Sequence, residues 1–334
     1  MSALREVGPG PGLDSAAFAE ARTACVPIVL RGIAAALPVT RAAASLEALC
    51  AYLLGFDAGE TAQAFVGDPA IGGRYAYGGG ADGFNFTRET LGLPAALARI
   101  ALAAVDPGQP SVYCGSLPAE VHLPGFAEAN AVPLVPAGVL PRLWIGNAST
   151  IACHYDRFDN LACVIAGERR FTLYPPDAIG DLYVGPIDHT MAGQPVSLAA
   201  GSAPDDPRYP RFARAAARAQ TVTLAPGDAL YLPKLWWHQV EATAPFNLLM
   251  NYWWDDFAGG PDSPYTALLL AMTTLADRPP AERAAWRAFF DHYAFRPEGH
   301  PLAHLPPERH GILADTRENR GRIRAFVMQL LRGG

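Results

Sequence analysis

The sequence has little of several features that define whole classes of protein. Its 334 residues include a single lysine, Lys234, and no apolar run approaches the length that a membrane span needs. Five cysteines are scattered without the CxxC spacing of zinc or redox sites, which predicts reduced and mostly buried thiols. The net charge of −6 disfavours broad nucleic-acid binding. Glycine and proline interrupt the first residues where a signal peptide needs an unbroken apolar core, so we expect a cytoplasmic protein.

Short strands, in contrast, are abundant. Between residues 143 and 254, segments rich in β-branched and aromatic residues alternate with glycine, proline or asparagine turns. This spacing is typical of an antiparallel jelly roll, so we predict a mainly β fold with flanking helices. Upstream, VPIVLRG predicts a strand between helices. The stretch 87–105 predicts a helix that starts at Thr87 or, after an internal Gly-Leu-Pro, nearer Pro94.

The pattern becomes helical after residue 254. Two sets of apolar residues recur at i, i+3, i+4 and i+7, so each set forms one stripe on a helix. The sets are Trp286, Phe289, Phe290 and Tyr293, and Ile323, Phe326, Val327 and Leu330. We therefore divide the chain into residues 1–262, with N-terminal helical elements and the jelly roll, and a C-terminal helical segment of residues 263–334.

One strand carries a candidate pair of metal ligands. In STIACHYD, side chains alternate between the two faces of the strand, so His154 and Asp156 share a face and Tyr155 points away. A third ligand is expected from His238, in the segment LPKLWWHQVEA. Two histidines and one carboxylate with open positions are the arrangement of non-haem Fe(II) oxygenases. Taken alone, His238 also fits a core histidine beside two tryptophans.

The segments 143–176 and 224–254 resemble the JmjC, or cupin-like, branch of the 2-oxoglutarate oxygenases. They are particularly similar to the subgroup containing the asparaginyl hydroxylase that acts on hypoxia-inducible factor. The resemblance runs from residue 27 to residue 254 and implies a double-stranded β-helix. It implies that His154, Asp156 and His238 hold Fe(II), that 2-oxoglutarate is the cosubstrate, and that the reaction is a hydroxylation.

The resemblance also assigns residues to the cosubstrate, with one departure. The family usually places a lysine after the turn glycine and a threonine three residues before the first ligand, where this sequence has Arg169 and Ile151. Arginine can pair with a carboxylate bidentately, but isoleucine donates no hydrogen bond. Arg169 equally fits a solvent-facing strand residue.

Other positions match the family's pattern directly. Tyr113 resembles a tyrosine that hydrogen-bonds the cosubstrate carboxylate, and Asn160 and Asn251 correspond to positions in the cosubstrate's hydrogen-bond network. Trp253 matches an aromatic residue beside the iron and joins the three ligands as a predicted catalytic residue. The alternative roles are strand amides for the asparagines and core packing for the aromatic residues.

The resemblance implies a hydroxylase that acts on a protein or peptide side chain, and less often on a nucleoside in RNA. A metal-binding cupin that has lost 2-oxoglutarate turnover is a second hypothesis, motivated by Ile151 and Arg169. A cupin isomerase or small-molecule dioxygenase is a third, disfavoured because such sites commonly carry more histidines. The C-terminal helices resemble the family's dimerising helices, so we expect a homodimer.

Overall fold

Two β-sheets form the core of the structure, a computed structural model that describes residues 4–8, 15–76, 83–188, 190, 193–256 and 262–333. The described residues divide into two units, Met1–Asp255 and Asp256–Gly334. The prediction of a mainly β fold with flanking helices is confirmed. The strands are β1 (Arg5–Val7), β2 (Ile28–Leu30), β3 (Thr61–Gly67), β4 (Arg74–Tyr75), β5 (Phe86–Gly92), β6 (Ser111–Pro118), β7 (Arg142–Gly146), β8 (Ser149–Tyr155), β9 (Asp159–Ala166), β10 (Arg169–Tyr174), β11 (Gln220–Leu224), β12 (Ala229–Leu232), β13 (Trp237–Ala242) and β14 (Asn247–Trp254).

In the described part of the chain, nine strands form the larger sheet, in the order β1-β2-β12-β9-β14-β7-β6-β3-β5. Five strands form the smaller sheet, in the order β11-β10-β13-β8-β4. Side chains from both sheets pack together in one buried cluster, with Ala162 and Leu249 from the larger sheet and Phe171 and Val240 from the smaller. This face-to-face packing is that of a jelly roll.

Within the described residues of the first unit, seven helices flank the two sheets; the first six pack with the larger sheet and the seventh packs with the smaller. They are α1 (Ser15–Ala24), α2 (Pro38–Ala42), α3 (Leu46–Leu54), α4 (Leu93–Val105), α5 (Ala119–His122), α6 (Phe126–Ala129) and α7 (Phe212–Ala216). Apolar residues of α1, α3 and α4, such as Phe18, Leu49 and Ile100, share a buried cluster with Leu143 and Leu161 of the sheet. Burying each such side chain contributes about 1.5–3 kcal/mol.

The segment 87–92 was predicted as the start of a helix, and that prediction is wrong. It belongs to β5, which pairs along its length with β3. The helix starts at Leu93 with Pro94 in its first turn, next to the alternative start predicted from the Gly-Leu-Pro sequence. The strand forms because its alternating residues complete a sheet edge, a tertiary contact that overrides local helix propensity.

The cysteines agree with the prediction of reduced thiols. All five are free; Cys114, Cys153 and Cys163 are buried, Cys50 is half-buried and Cys25 is exposed. The buried thiols fill space in the core as small apolar groups.

The second unit consists of helices. They are α8 (Pro264–Leu275), α9 (Pro280–Phe290) and α10 (Arg317–Arg332). None of the described residues in these three helices is buried. The predicted stripe at 286–293 extends beyond α9 into a π-helical turn, Asp291–Phe295. Among the described residues, no helix is long and apolar enough to cross a membrane.

Candidate active site

The three predicted metal ligands lie together at one end of the space between the sheets. His154 is the next-to-last residue of β8 and is paired with His238 of β13 in the strand ladder, so the two imidazoles lie side by side. Their ring centroids are 4.3 Å apart. Asp156 follows β8, and its Oδ2 lies 3.8 Å from Nε2 of His238. One ligand atom from each of the three residues lies within 4.8 Å of the others.

The hydrogen bonds of the two histidines orient their ligand nitrogens. Nδ1 of His154 lies 2.8 Å from the carbonyl oxygen of Ala152, and Nδ1 of His238 lies 3.0 Å from that of Trp236. A carbonyl only accepts, so each Nδ1 carries the proton and donates. Each neutral ring then has its lone pair on Nε2, the tautomer in which the carbonyl fixes the ring of a metal-binding histidine.

The electrostatics of the site also favour metal binding. Burial, together with the neighbouring His154, lowers the pKa of His238 to about 4, while Asp156 and the Trp236 carbonyl oppose this shift. His238 is therefore neutral at pH 7. A neutral imidazole is the form that binds a metal ion without first losing a proton.

The loop before His238 is anchored by the chain's only lysine. Lys234 forms ion pairs with Asp159, at 3.3 Å, and with Asp255. Asp159 is buried and also accepts a hydrogen bond of 2.9 Å from the hydroxyl of Tyr231. The next residue, Leu235, has a φ of 68° and donates its N–H to the carbonyl of Asp156 at 2.8 Å. These contacts connect the segments that supply the three candidate ligands.

A cavity of about 290 Å³ extends from the candidate ligands between the sheets. Its lining includes every residue that the sequence assigned to the site: Tyr113, Ile151, His154, Asp156, Asn160, Arg169, His238, Asn251 and Trp253. The structure thus brings all of these residues to one cavity, although they come from six strands and one loop. Their roles in binding or catalysis stay predictions.

Arg169 lies at the other end of this cavity. It starts β10 and is only 2% exposed, so the alternative of a solvent-facing strand residue is wrong. Arg169 is four positions before Leu173, the partner of His238, which corresponds to about 13 Å at the usual rise of a strand. Its Nη2 donates to the carbonyl of Trp144 at 3.3 Å, whereas its buried Nε has no hydrogen-bond partner among the described residues.

The neighbour of Arg169 is a phenol and not a carboxylate. Burial lowers the pKa of the Arg169 guanidinium, and the contact with Tyr113 opposes this shift. Burial raises the pKa of Tyr113 to about 12 despite the nearby cation, so the phenol stays neutral. Among the described residues, no carboxylate forms an ion pair with Arg169. A buried cation without a counter-ion is unfavourable, which makes this end of the cavity a candidate anion site.

Ile151 lies on the cavity face of β8, between the metal end and Arg169. It is paired with Val240 of β13 and lines the cavity. The neighbouring Thr150 is not part of the lining, as strand alternation predicts. Ile151 itself therefore contributes no hydroxyl where the family pattern has a threonine.

A hydrogen-bonded chain holds the two predicted asparagines. The indole Nε1 of Trp144 donates to Oδ1 of Asn251 at 2.7 Å, and Nδ2 of Asn251 donates to Oδ1 of Asn160 at 3.1 Å. Both asparagines are buried, so these hydrogen bonds determine the orientation of each side-chain amide. The Nδ2 of Asn160 remains able to donate into the cavity.

Sequence reasoning missed Trp144, which connects these groups. Its ring is 5.9 Å from that of Trp253 and 6.2 Å from that of Tyr113, and its carbonyl accepts the bond from Arg169. Period-two alternation in RLWIG places Trp144 on one face with Arg142, opposite Leu143 and Ile145. That alternation was the available signal.

Comparisons with known proteins point to one family. A family model described as a cupin-like domain matches residues 14–260. Lysine-specific demethylase JMJ31 of Arabidopsis thaliana is 29% identical over 155 residues, which are 45% of this chain and 26% of that protein. HSPB1-associated protein 1 homolog of Danio rerio is 36% identical over 115 residues, 33% of this chain and 24% of that protein.

A third relative is the human bifunctional peptidase and (3S)-lysyl hydroxylase JMJD7, 29% identical over 169 residues. The match covers 42% of this chain and 51% of that protein. The chain therefore spans about a quarter to a half of the length of these relatives.

Proposed function

The chain belongs to the cupin-like domain family and, with it, to the JmjC-type 2-oxoglutarate oxygenases, and on that premise we propose an activity for it. The activity is Fe(II)- and 2-oxoglutarate-dependent hydroxylation of a protein or peptide side chain. A protein substrate is supported by relatives whose names describe a lysine demethylase and a lysyl hydroxylase.

One observation carries this proposal. A single cavity has at one end His154, Asp156 and His238, with ligand atoms within 4.8 Å of one another, and at the other a buried arginine without a carboxylate partner among the described residues. Two imidazole nitrogens and a carboxylate suit Fe(II) and leave coordination positions open. The unpaired cation suits a dicarboxylate that also reaches the metal.

The residues of the chain then have distinct tasks. Fe(II) with 2-oxoglutarate, when bound, supplies the oxidation of a C–H bond. Arg169 and Tyr113 bind and orient the far carboxylate, and the amide chain from Trp144 to Asn160 offers a fixed donor. The aromatic wall, including Trp253, keeps water away from the reacting atoms.

The test is cosubstrate binding and turnover by protein purified without oxygen and loaded with iron. We expect calorimetric binding of 2-oxoglutarate that requires the metal, and succinate release that a peptide pool stimulates more than an RNA pool. A metal-loaded protein that neither binds 2-oxoglutarate nor releases succinate would contradict the proposal.

Ile151 favours a second candidate function, a metal-binding module without 2-oxoglutarate turnover. Its side chain lines the cavity but donates no hydrogen bond to a carboxylate. This candidate shares the metal site, and it predicts calorimetric binding of the metal but not of 2-oxoglutarate. The same calorimetric titration separates the two.

We also propose that the C-terminal helices pair with a second copy of the chain. The stripe residues of α10 are exposed, Phe326 at 58% and Leu330 at 60%. Apolar stripes of this kind are stable when another surface covers them. We expect the double substitution Phe326→Glu and Leu330→Glu to halve the mass in light scattering, while Gln329→Glu leaves it unchanged. A wild-type monomer would contradict the idea.

A further inference from the structure

Arg142 is a second arginine beside the cavity, at the opposite end from Arg169. It starts β7 and is directly opposite Asn251 of β14 in the ladder, so the two side chains share the cavity face. Two residues further along β14, Trp253 is opposite Asn160 of β9, next to the candidate metal ligands. The register therefore places Arg142 at the metal end.

The contacts of Arg142 fix its position and leave donors free. Its Nη1 donates to the carbonyl and to Oγ of Ser116, at 3.0 and 2.9 Å, and its guanidinium carbon lies 5.7 Å from the ring centre of Trp253. Ser116 has a φ of 58°, a strained conformation for a non-glycine residue, in a bulge that turns its carbonyl toward Arg142. Both Ser116 and Trp253 line the cavity.

No protein carboxylate neutralises Arg142 within the described ranges. Nε and Nη2 have no protein acceptor there, although the side chain is half-buried. Asp156 is the only carboxylate among the described residues that line the cavity, and it belongs to the candidate metal site. Arg142 thus presents a bidentate donor edge, the geometry that suits a carboxylate.

The charges of the cavity point to the same ligand. Fe(II) with Asp156 leaves one positive charge, Arg169 adds another, and the two carboxylates of 2-oxoglutarate cancel both. Arg142 is then one charge in excess beside the position where a substrate must approach the metal. An anionic group on the substrate would compensate this charge.

We propose that Arg142 is the anion subsite for the substrate, and that it binds an aspartate or glutamate side chain close to the residue that is hydroxylated. This inference rests on the proposed function and narrows its substrate class to acidic peptide segments. The ring of Trp253 packs against the guanidinium of Arg142 and adds an apolar surface to the same subsite.

The test is a selection from a random peptide library. The protein is loaded with Mn(II) and N-oxalylglycine, an unreactive analogue of 2-oxoglutarate, and bound peptides are sequenced. We expect about tenfold enrichment of aspartate or glutamate, as for a hydrogen-bonded ion pair. The enrichment should vanish with Arg142→Gln and turn into a preference for lysine and arginine with Arg142→Glu. A purely structural role for Arg142 would not reverse the preference.

Arg170→Gln is the matched control, since Arg170 lies next to Arg169 on β10, is exposed and pairs with Glu241. It should leave the selection unchanged. Arg142→Lys keeps a charged donor for Ser116 and should retain a reduced acidic preference, which keeps the test decisive if Arg142→Gln does not fold. Wild-type selection without acidic enrichment, or enrichment that survives Arg142→Gln, overturns the inference. Failure of the wild type to bind N-oxalylglycine counts instead against the proposed function.

Discussion

The two ends of the cavity differ in how their polar groups are satisfied. At the metal end, each histidine donates its Nδ1 proton to a backbone carbonyl two residues earlier. The ion pair of Lys234 with Asp159 anchors the loop before His238. At the other end, within the described residues, buried Arg169 has one long hydrogen bond to a carbonyl, a phenol beside it and an Nε without a partner. The two histidines are thus hydrogen-bonded within the protein, whereas Arg169 is only partly paired, so substitutions should affect the two ends differently.

The largest effect is expected at the metal end. His238→Ala should weaken metal binding by at least about a hundredfold, because loss of outer partners alone weakens it ten- to a hundredfold. Calorimetry with Mn(II) measures this, and succinate release should fall below detection. His304→Ala, an exposed histidine of the second unit, is the control. Retention of metal affinity in His238→Ala would remove this residue from the ligand set.

Arg169→Met should separate stability from function at the anion end. Without 2-oxoglutarate the variant should be as stable as the wild type or more stable, by about 1–4 kcal/mol, because a buried unpaired charge is replaced by an apolar side chain. Affinity for 2-oxoglutarate should fall about a hundredfold, as when one partner of a buried charge pair is removed. Thermal melts with and without the cosubstrate measure both effects.

Arg170→Met is the control for that substitution, since it removes an exposed cation from the same strand. It should change neither property. A destabilised Arg169→Met protein that still binds 2-oxoglutarate would show that the cavity needs this cation for folding and not for the ligand.

A smaller effect is expected where the two ends meet. Trp144→Phe keeps an aromatic ring but leaves Oδ1 of Asn251 without its donor, at a cost of about 1–2 kcal/mol. The Michaelis constant for 2-oxoglutarate should rise about tenfold with little change in metal affinity. Trp254→Phe is the matched control because the indole N–H of Trp254 has no partner among the described residues. Equal effects of both substitutions would assign the loss to packing.

The smallest expected effect is an increase in the affinity for 2-oxoglutarate. Ile151→Thr adds a hydroxyl to the cavity wall on the way to Arg169, and one hydrogen bond of about 1 kcal/mol should tighten 2-oxoglutarate binding about fivefold. Ile151→Val, which shortens the side chain without adding a donor, should not tighten it. Tighter binding in both variants would indicate relief of crowding instead.

Local sequence patterns, together with the family resemblance, predicted the residues that lie together at the metal end. Period-two alternation places His154 and Asp156 on one face, and proline and tryptophan signals bring a second strand to His238. The same alternation places Arg142 and Trp144 on a common face of β7. Their contacts on other strands are not visible in the sequence, so neither residue could be identified as part of the site. The segment 87–92 was misassigned because its strand character depends on pairing with β3, a partner more than twenty residues earlier in the chain.

The sequence by itself therefore determined the alternation of short strands and which residue types could hold a metal, because these follow from local period and composition. Its resemblance to a known family indicated the family. Only the tertiary structure decided that Arg169 is buried without a carboxylate, that Trp144 orients the two asparagines, and that Arg142 stands at the metal end. These properties depend on strand register and burial between two sheets. Both arise from contacts between residues distant in sequence, which no local pattern encodes.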